Sequence, residues 1–150
     1  MYYIIIVLLV AADQIIKFFI SSNMDLGETI PLIENILHIT YITNSGGAFS
    51  ILQGQRFLLI LVTSAMTSAI LVYIFIKRNS EHFLYLLSLS MICAGGAGNL
   101  IDRVRLGAVV DFIDFRVFPI FNLADICVCT GCGLLLLYIF LFEVRRGKVA

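Results

Sequence analysis

Residues 57–76 have the sequence FLLILVTSAMTSAILVYIFI, which contains no charged side chain. An α-helix of about 20 apolar residues is long enough to cross the hydrocarbon core of a bilayer. Because lipid supplies no hydrogen-bond partners, a helix that satisfies its own backbone is favoured for such a segment. The stretch therefore predicts a transmembrane helix and places the chain among membrane proteins.

Three further apolar segments accompany this helix; they cover residues 2–20, 83–101 and 124–142. The first lacks a basic n-region and is interrupted by Asp13 and Lys17, so we interpret it as a spanning helix and not as a secretory signal peptide. The chain has 61% hydrophobic and 13% charged residues, whereas soluble domains carry roughly a quarter charged residues. We predict an α-helical membrane protein with four transmembrane helices in a single membrane-embedded domain, residues 1–150.

The composition also excludes some classes of function. The net charge is zero and no basic block is present, which argues against nucleic acid as a partner. The two histidines, His38 and His82, stand alone without a metal-ligand motif, so we expect no protein-bound catalytic metal and no other cofactor.

The polar segment between the first two spans is predicted to form a small β-structure on the membrane surface. Residues 37–43, LHITYIT, alternate β-branched and aromatic side chains as a short strand does. The glycine pair of NSGGAF (44–49) permits a tight turn, and local sequence favours Asn44 as a turn residue. Residues 104–121 are predicted to be a mixed loop.

Residues 94–125 hold several ionisable and amide side chains within a short span of an otherwise apolar chain. Ionisable groups at membrane depth cost several kcal/mol, so they mark function by default. The predicted helices bring these groups to the membrane face that also carries Lys17 and the polar segment 21–56. The polar residues in question are Asn99, Asp102, Arg103, Asp111, Asp114, Asn122 and Asp125.

Two of these acids, Asp111 and Asp125, are separated by a loop that can fold back. Two carboxylates in one low-dielectric pocket share a proton, and such a pair can both activate a water and protonate a leaving group. The helix N-terminus beside Asp125 favours its charged form, so we hypothesise that Asp125 is the base and Asp111 the acid. The residues alone leave other acid pairs open, since Asp114 and Asp102 compete; for Asp102 we expect a salt bridge with Arg103.

Structural roles are also predicted for several of these residues. Asn122 lies at a helix N-cap position and Asp125 follows at the position of a capping-box partner. Asp13 and Lys17 are four residues apart, which predicts an ion pair that orients the first helix. Lys17 lies near the helix end, where its stem can extend to the interface.

Five motifs of the chain resemble, in order, those of the lipoprotein signal peptidases (type II signal peptidases), a family of bacterial membrane aspartyl peptidases with four helices. Together they extend over nearly the whole chain. The motifs are DQIIK (13–17), NSGGAF (44–49), GGAGNLIDR (95–103), VVDF (109–112) and FNLAD (121–125).

This resemblance implies an aspartic endopeptidase whose catalytic pair is Asp111 and Asp125. It implies that the substrate site is lined by Asn44, Asn99, Arg103 and Asn122. It also implies that Asp13, Lys17 and Asp102 support this site. The implied substrate is a prolipoprotein whose cysteine carries diacylglycerol, cleaved just before that cysteine. The implied fold adds a small β-sheet cradle on the extracytoplasmic face of the bacterial cytoplasmic membrane. Both termini are then cytoplasmic, and we expect a monomer in contact with membrane lipid.

Two other classes of function each match one feature of the sequence. Cys129 and Cys132 form a CxxC pair, as in four-helix membrane thiol oxidoreductases, although the loops hold no second cysteine pair. Small residues that let the fourth helix pack closely explain the same motif. A transport subunit with an acid relay would spread polar residues through the membrane, whereas helices three and four are polar at one end.

Overall fold

The protein is described by a computed structural model that covers residues 1–46 and 54–143. Four helices form its framework, and each is long and apolar enough to cross a membrane. The basic tail and the end of NSGGAF lie outside the described residues. The helices are α1 (Tyr2–Asn23), α2 (Arg56–Lys77), α3 (Phe83–Arg105) and α4 (Leu123–Tyr138), the last continued by a π-helical turn (Ile139–Glu143). The four predicted spans are thereby confirmed, with ends shifted by a few residues.

Helix α3 is the centre of the bundle and packs against the other three helices. Its small residues allow close approach to α4, because a Cβ on Gly95 would collide with the carbonyl oxygen of Ala124 and with Val128. Such small residues let helix backbones meet where the hydrophobic effect provides no drive between helices. Helices α3 and α4 therefore pack closely at this point.

A three-stranded antiparallel sheet caps the polar end of the bundle. Its strands, in spatial order, are β1 (Thr29–Ile33), β2 (Leu37–Asn44) and β3 (Val109–Asp114). The strand predicted at residues 37–43 is confirmed as β2. The prediction of a loop throughout residues 104–121 was wrong, because that segment contains β3. Its two acids depress local strand propensity, and pairing with β2, distant in sequence, decides its conformation.

A bulge in β2 places the side chains of Asn44 and Asp111 on the same face of the sheet. Ile39 pairs with Ile113, and Ile42 pairs with Asp111, so β2 advances by one residue more than β3 between these pairs. An extra residue reverses the alternation of side chains beyond it. Counted from His38, regular alternation would leave Asn44 on the face of Asp114. The bulge moves Asn44 to the face of Asp111.

Candidate active site

Asp111 lies in the middle of β3 and is 2% exposed. Its Oδ1 accepts a hydrogen bond from Asn122 Nδ2 at 2.6 Å, and its Oδ2 accepts one from Asn44 Nδ2 at 3.2 Å. Both donors come from other elements, one from β2 and one from the start of α4. The sheet and the helix bundle therefore meet at this carboxyl group.

Asp125 lies in the first turn of α4, where it forms a capping box with Asn122. The Asp125 backbone N–H donates to Asn122 Oδ1 at 2.9 Å, and the Asn122 backbone N–H donates to Asp125 Oδ2 at 3.2 Å. The predicted capping is confirmed. Because Asn122 also donates to Asp111, one fully buried asparagine bonds to both acids.

Asn99, on α3, connects this pair to α1. Its Nδ2 donates to Asp125 Oδ1 at 2.8 Å, while its Oδ1 accepts from Lys17 Nζ at 2.9 Å and from Asn122 Nδ2 at 3.1 Å. An ammonium only donates, so Lys17 fixes which end of the Asn99 amide points at Asp125.

Lys17 forms two buried ion pairs. Its Nζ lies 3.0 Å from Asp13 Oδ2 and 2.8 Å from Asp102 Oδ2, and all three side chains are 1–3% exposed. The predicted pair between Asp13 and Lys17 is confirmed. The predicted extension of Lys17 to the interface was wrong, because two carboxylates hold the ammonium inside. The expected salt bridge between Asp102 and Arg103 was also wrong, since Lys17 takes the Asp102 carboxylate.

Asp13 also binds the start of α4, where the Ala124 N–H donates to Asp13 Oδ1 at 2.9 Å. A carboxylate at this position suits the free N–H groups and the dipole of a helix N-terminus. A Cβ on Gly98 would lie 2.6 Å from Asp13 Oδ2, so the glycine provides the space for this contact. Gln14, which the sequence analysis missed, donates to Asp102 Oδ1 at 2.9 Å and to the Gly98 carbonyl at 3.2 Å.

Arg103 lies at the site, whereas Asp114 lies outside it. Arg103, 8% exposed, donates from Nη2 to the Gly46 carbonyl at 2.8 Å, and its guanidinium interacts electrostatically with the acids Asp111 and Asp125. Asp114 instead accepts from Thr40 at 2.8 Å and pairs with Arg116 at 3.0 Å. The rival acid is thus fully bonded on the opposite face of the sheet.

The surroundings of the two acids of β3 shift their pKa values in opposite directions. Burial, with the neighbouring Asp125 carboxylate, raises the pKa of Asp111 to about 6. Burial alone would also raise the pKa of Asp114, but bonds from Thr40 and Arg116 outweigh it and lower that pKa. Asp111 is therefore the acid of β3 that keeps its proton to the higher pH, up to about 6.

Four helices that can span a membrane, with two aspartates bonded to one asparagine at their polar end, are the arrangement expected of a membrane enzyme of the aspartyl class. Residues 5–141 match the model of the family described as signal peptidase (SPase) II. The chain therefore belongs to the signal peptidase II family, whose members are aspartic-type proteases.

Relatives and solved structures agree with this assignment. The lipoprotein signal peptidase of Halothermothrix orenii is 43% identical over 140 residues, which cover 93% of this chain and 95% of the relative. That of Clostridioides difficile is 39% identical over 147 residues, covering 97% and 98%. A bacterial membrane enzyme solved by the in meso method at 2.3 Å has a TM-score of 0.86 and 36% identity, with 98% of this chain and 90% of that one covered.

The comparisons do not favour the thiol oxidoreductase. Cys129 and Cys132 are free thiols on the exposed surface of α4. The family is instead that of enzymes that cleave signal peptides.

Proposed function

We propose that the chain removes the signal peptide from prolipoproteins whose lipobox cysteine carries diacylglycerol, and that Asp111 and Asp125 are the catalytic pair. The observation that carries this proposal is the fully buried Asn122, which bonds to both carboxyl groups. Its side-chain Nδ2 donates to Asp111, and its backbone N–H donates to Asp125. Such a bridge fixes the two acids relative to each other, as proton transfer on both sides of one scissile bond requires.

The proposed chemistry divides acid and base between the two residues. Ionised Asp125 accepts a proton from a water molecule, whose oxygen attacks the scissile carbonyl carbon. Protonated Asp111 donates to the carbonyl oxygen, and the tetrahedral intermediate then collapses as the leaving amine takes a proton from the pair. The raised pKa of Asp111 supports its role as the initial acid, and the helix N-terminus supports a charged Asp125.

The remaining polar residues have proposed roles that follow from their contacts. Asn44, Asn99 and Asn122 hold the carboxyl groups and, with Arg103, line the substrate site. Lys17, which is paired with Asp102, supports the aspartate pair by its hydrogen bond to Asn99. Asp13 supports it by binding the first turn of α4.

The membrane placement is also part of the proposal. The diacylglycerol chains of the substrate stay in the bilayer, while its apolar signal segment packs against the spanning helices. The scissile bond then reaches the polar end of the bundle, where water has access. We place this end and the sheet at the extracytoplasmic face of the bacterial cytoplasmic membrane, with both termini in the cytoplasm and the chain acting as a monomer.

The test is cleavage of a purified diacylglyceryl-modified prolipoprotein by the purified protein in detergent. We expect Asp111→Asn and Asp125→Asn each to lower kcat by at least about 100-fold, the usual contribution of one general acid or base. The double variant Cys129→Ala/Cys132→Ala should retain wild-type cleavage. Full activity in either aspartate variant would disprove the assigned pair, and loss of activity in the cysteine variant would revive the thiol chemistry.

A further inference from the structure

The C-terminal end of α3 is capped by hydrogen bonds from a side chain of another helix, Arg56 of α2. The last carbonyl groups of a helix have no intrahelical partner and need one from elsewhere. Asp102 O accepts from the backbone N–H of Leu106 at 2.7 Å. The next two carbonyls, of Arg103 and Val104, accept from Arg56 through Nε at 2.9 Å and Nη2 at 3.1 Å.

Gly107 makes room for this contact. It adopts a φ of +85°, the left-handed conformation common just after a helix end, and a Cβ there would lie 3.2 Å from Arg56 Nη1. A cation at the C-terminal end of a helix is also favoured by the helix dipole. The guanidinium of Arg56 therefore fits both the geometry and the charge of this end.

Arg103, whose carbonyl group Arg56 binds, is one of the proposed substrate-site residues. Arg56 binds the main-chain carbonyl of Arg103, while the Arg103 guanidinium donates to the carbonyls of Gly46 at 2.8 Å and Asn99 at 3.4 Å. That guanidinium also interacts electrostatically with Asp125 and Asp111. The position of the cation beside the aspartate pair thus depends on a main chain that Arg56 fixes.

We propose that Arg56 is a positioning residue for the peptidase reaction, which acts by holding the end of α3 and thereby the Arg103 guanidinium next to Asp111 and Asp125. The inference rests on the proposed function in taking these acids as the catalytic pair. Arg56 itself is exposed, and within residues 1–46 and 54–143 its hydrogen bonds go to the end of α3 and not to either acid.

Two consequences follow for the reaction. Substrate binds to several elements, so a displaced Arg103 should lower kcat more than it raises KM. Withdrawal of a positive charge also makes both carboxylates easier to protonate, so the acidic limb of the pH profile should move to higher pH. Among the described residues, the other charged groups near the pair are Asp13 and Lys17 of α1 and Asp102 of α3, and these stay in place.

The experiment compares Arg56→Met with the matched control Arg105→Met, using the full-length enzyme in detergent and the diacylglyceryl-modified prolipoprotein between pH 4.5 and 9. Arg105 is exposed at the same helix end, and its side chain makes no hydrogen bond or ion pair with the described residues. We expect Arg56→Met to lower kcat by about tenfold, as small displacements of reacting groups do. KM should change less than kcat, the acidic limb should move upward, and Arg105→Met should match the wild type.

Two further variants keep the test decisive if Arg56→Met accumulates poorly. Arg56→Lys keeps the charge but cannot bond both carbonyls in the same geometry, so we expect partial recovery of kcat. Gly107→Ala adds a methyl group against Nη1 without changing any charge, and should move kcat and the acidic limb in the same direction as Arg56→Met.

The outcomes separate this inference from the proposed function. If the Arg56 and Gly107 variants only reduce the amount of folded enzyme, with kcat per folded molecule and the acidic limb unchanged, the positioning role is wrong. It is equally wrong if Arg105→Met shifts the profile as much as Arg56→Met. Cleavage by Asp111→Asn in the same assay would instead overturn the catalytic pair, whatever the Arg56 variants do.

Discussion

The two ends of the helix bundle are held together by different forces. The end beneath the sheet is tied by hydrogen bonds and ion pairs among buried groups, as in the contacts of Lys17 with Asp13 and Asp102. The opposite end is closed by aromatic rings, with centroid distances of 5.9 Å between Tyr73 and Tyr85 and 4.5 Å between His82 and Phe142. The hydrogen bonds of the polar end depend on direction, whereas the stability of the aromatic end depends mainly on contact area.

This difference shows why the active site has one geometry. A buried polar group that loses its partner costs its full desolvation, so a half-satisfied network is unstable. Asn99 and Asn122 therefore cannot rotate independently of Lys17 and the two acids. Aromatic pairs tolerate a range of angles, from 28° between Tyr138 and Phe142 to 79° between Tyr73 and Tyr85.

The largest expected effect comes from removing the buried ammonium. Lys17→Met leaves Asp13 and Asp102 buried without their counter-ion, which should cost about 3–5 kcal/mol of unfolding free energy. The control is Lys77→Met at the other end, where Lys77 lies 3.8 Å from Glu81 and is 43% exposed. That change should stay within about 0.5 kcal/mol.

Reversible unfolding in mixed detergent micelles would measure both variants. Equal losses for Lys17→Met and Lys77→Met would remove the distinction between the two ends. A stable Lys17→Met with normal activity would mean that Asp13 and Asp102 do not depend on this counter-ion.

The second prediction concerns pH and the Asp111 carboxyl group. Its pKa is raised from 3.8 to about 6 in the folded protein. The stabilisation from its proton is complete below pH 3.8 and is lost as the pH rises through about 6. Relative to Asp111→Asn, the wild type should therefore lose about 3 kcal/mol of unfolding free energy between acidic pH and pH 8.

Asp114 supplies the matched control on the other face of the sheet. Its pKa is lowered, so the wild type should gain stability relative to Asp114→Asn as the pH rises toward the ordinary range of an aspartate, and this gain should be complete above that range. Thermal unfolding of both variants from about pH 2 to about pH 8 gives the two slopes, that of Asp114 in the acidic part of the range and that of Asp111 between about 4 and 6. Slopes of the same sign would contradict the opposite environments of these acids.

A smaller effect is expected from a methyl group placed in the polar end. Gly98→Ala would put a Cβ 2.6 Å from Asp13 Oδ2 and 3.2 Å from the Ala124 Cβ. Overpacking of this kind costs about 1–3 kcal/mol, and it should also lower kcat by moving α4 away from Asp13. Gly133→Ala, which meets nothing within 4 Å, should be neutral or slightly stabilising. Equal stability of the two variants would show that the polar end can relax.

The sequence predicts some parts of this structure better than others. The spans followed from uninterrupted apolar runs such as residues 57–76, because membrane length and backbone satisfaction leave one solution. The pairing of Asp13 with Lys17 and the capping by Asn122 followed from spacing within one helix. Contacts of this local kind are determined by geometry that the sequence contains directly.

The remaining contacts depended on pairings between distant segments. Strand β3 is stabilised by β2, and the bulge that moves Asn44 beside Asp111 has no marker in LHITYIT. Nor does local spacing distinguish Lys17 from Arg103 as the partner of Asp102. The choice of Asp111 with Asp125 came from the family motifs, and the geometry of Asn122 now supplies a physical reason to propose it.

The smallest effect is expected at the aromatic end. Tyr138 packs its ring 5.2 Å from Tyr85 and 5.3 Å from Phe142, and Tyr138→Leu keeps much of the apolar contact. The loss should therefore be about 1 kcal/mol, the specific contribution of an aromatic pair, with kcat and KM unchanged. Unfolding and cleavage measured on one preparation test both statements. A change in kcat from this variant would mean that the two ends are coupled through α4, because Asp125 lies in the first turn of that helix and Tyr138 is its last residue.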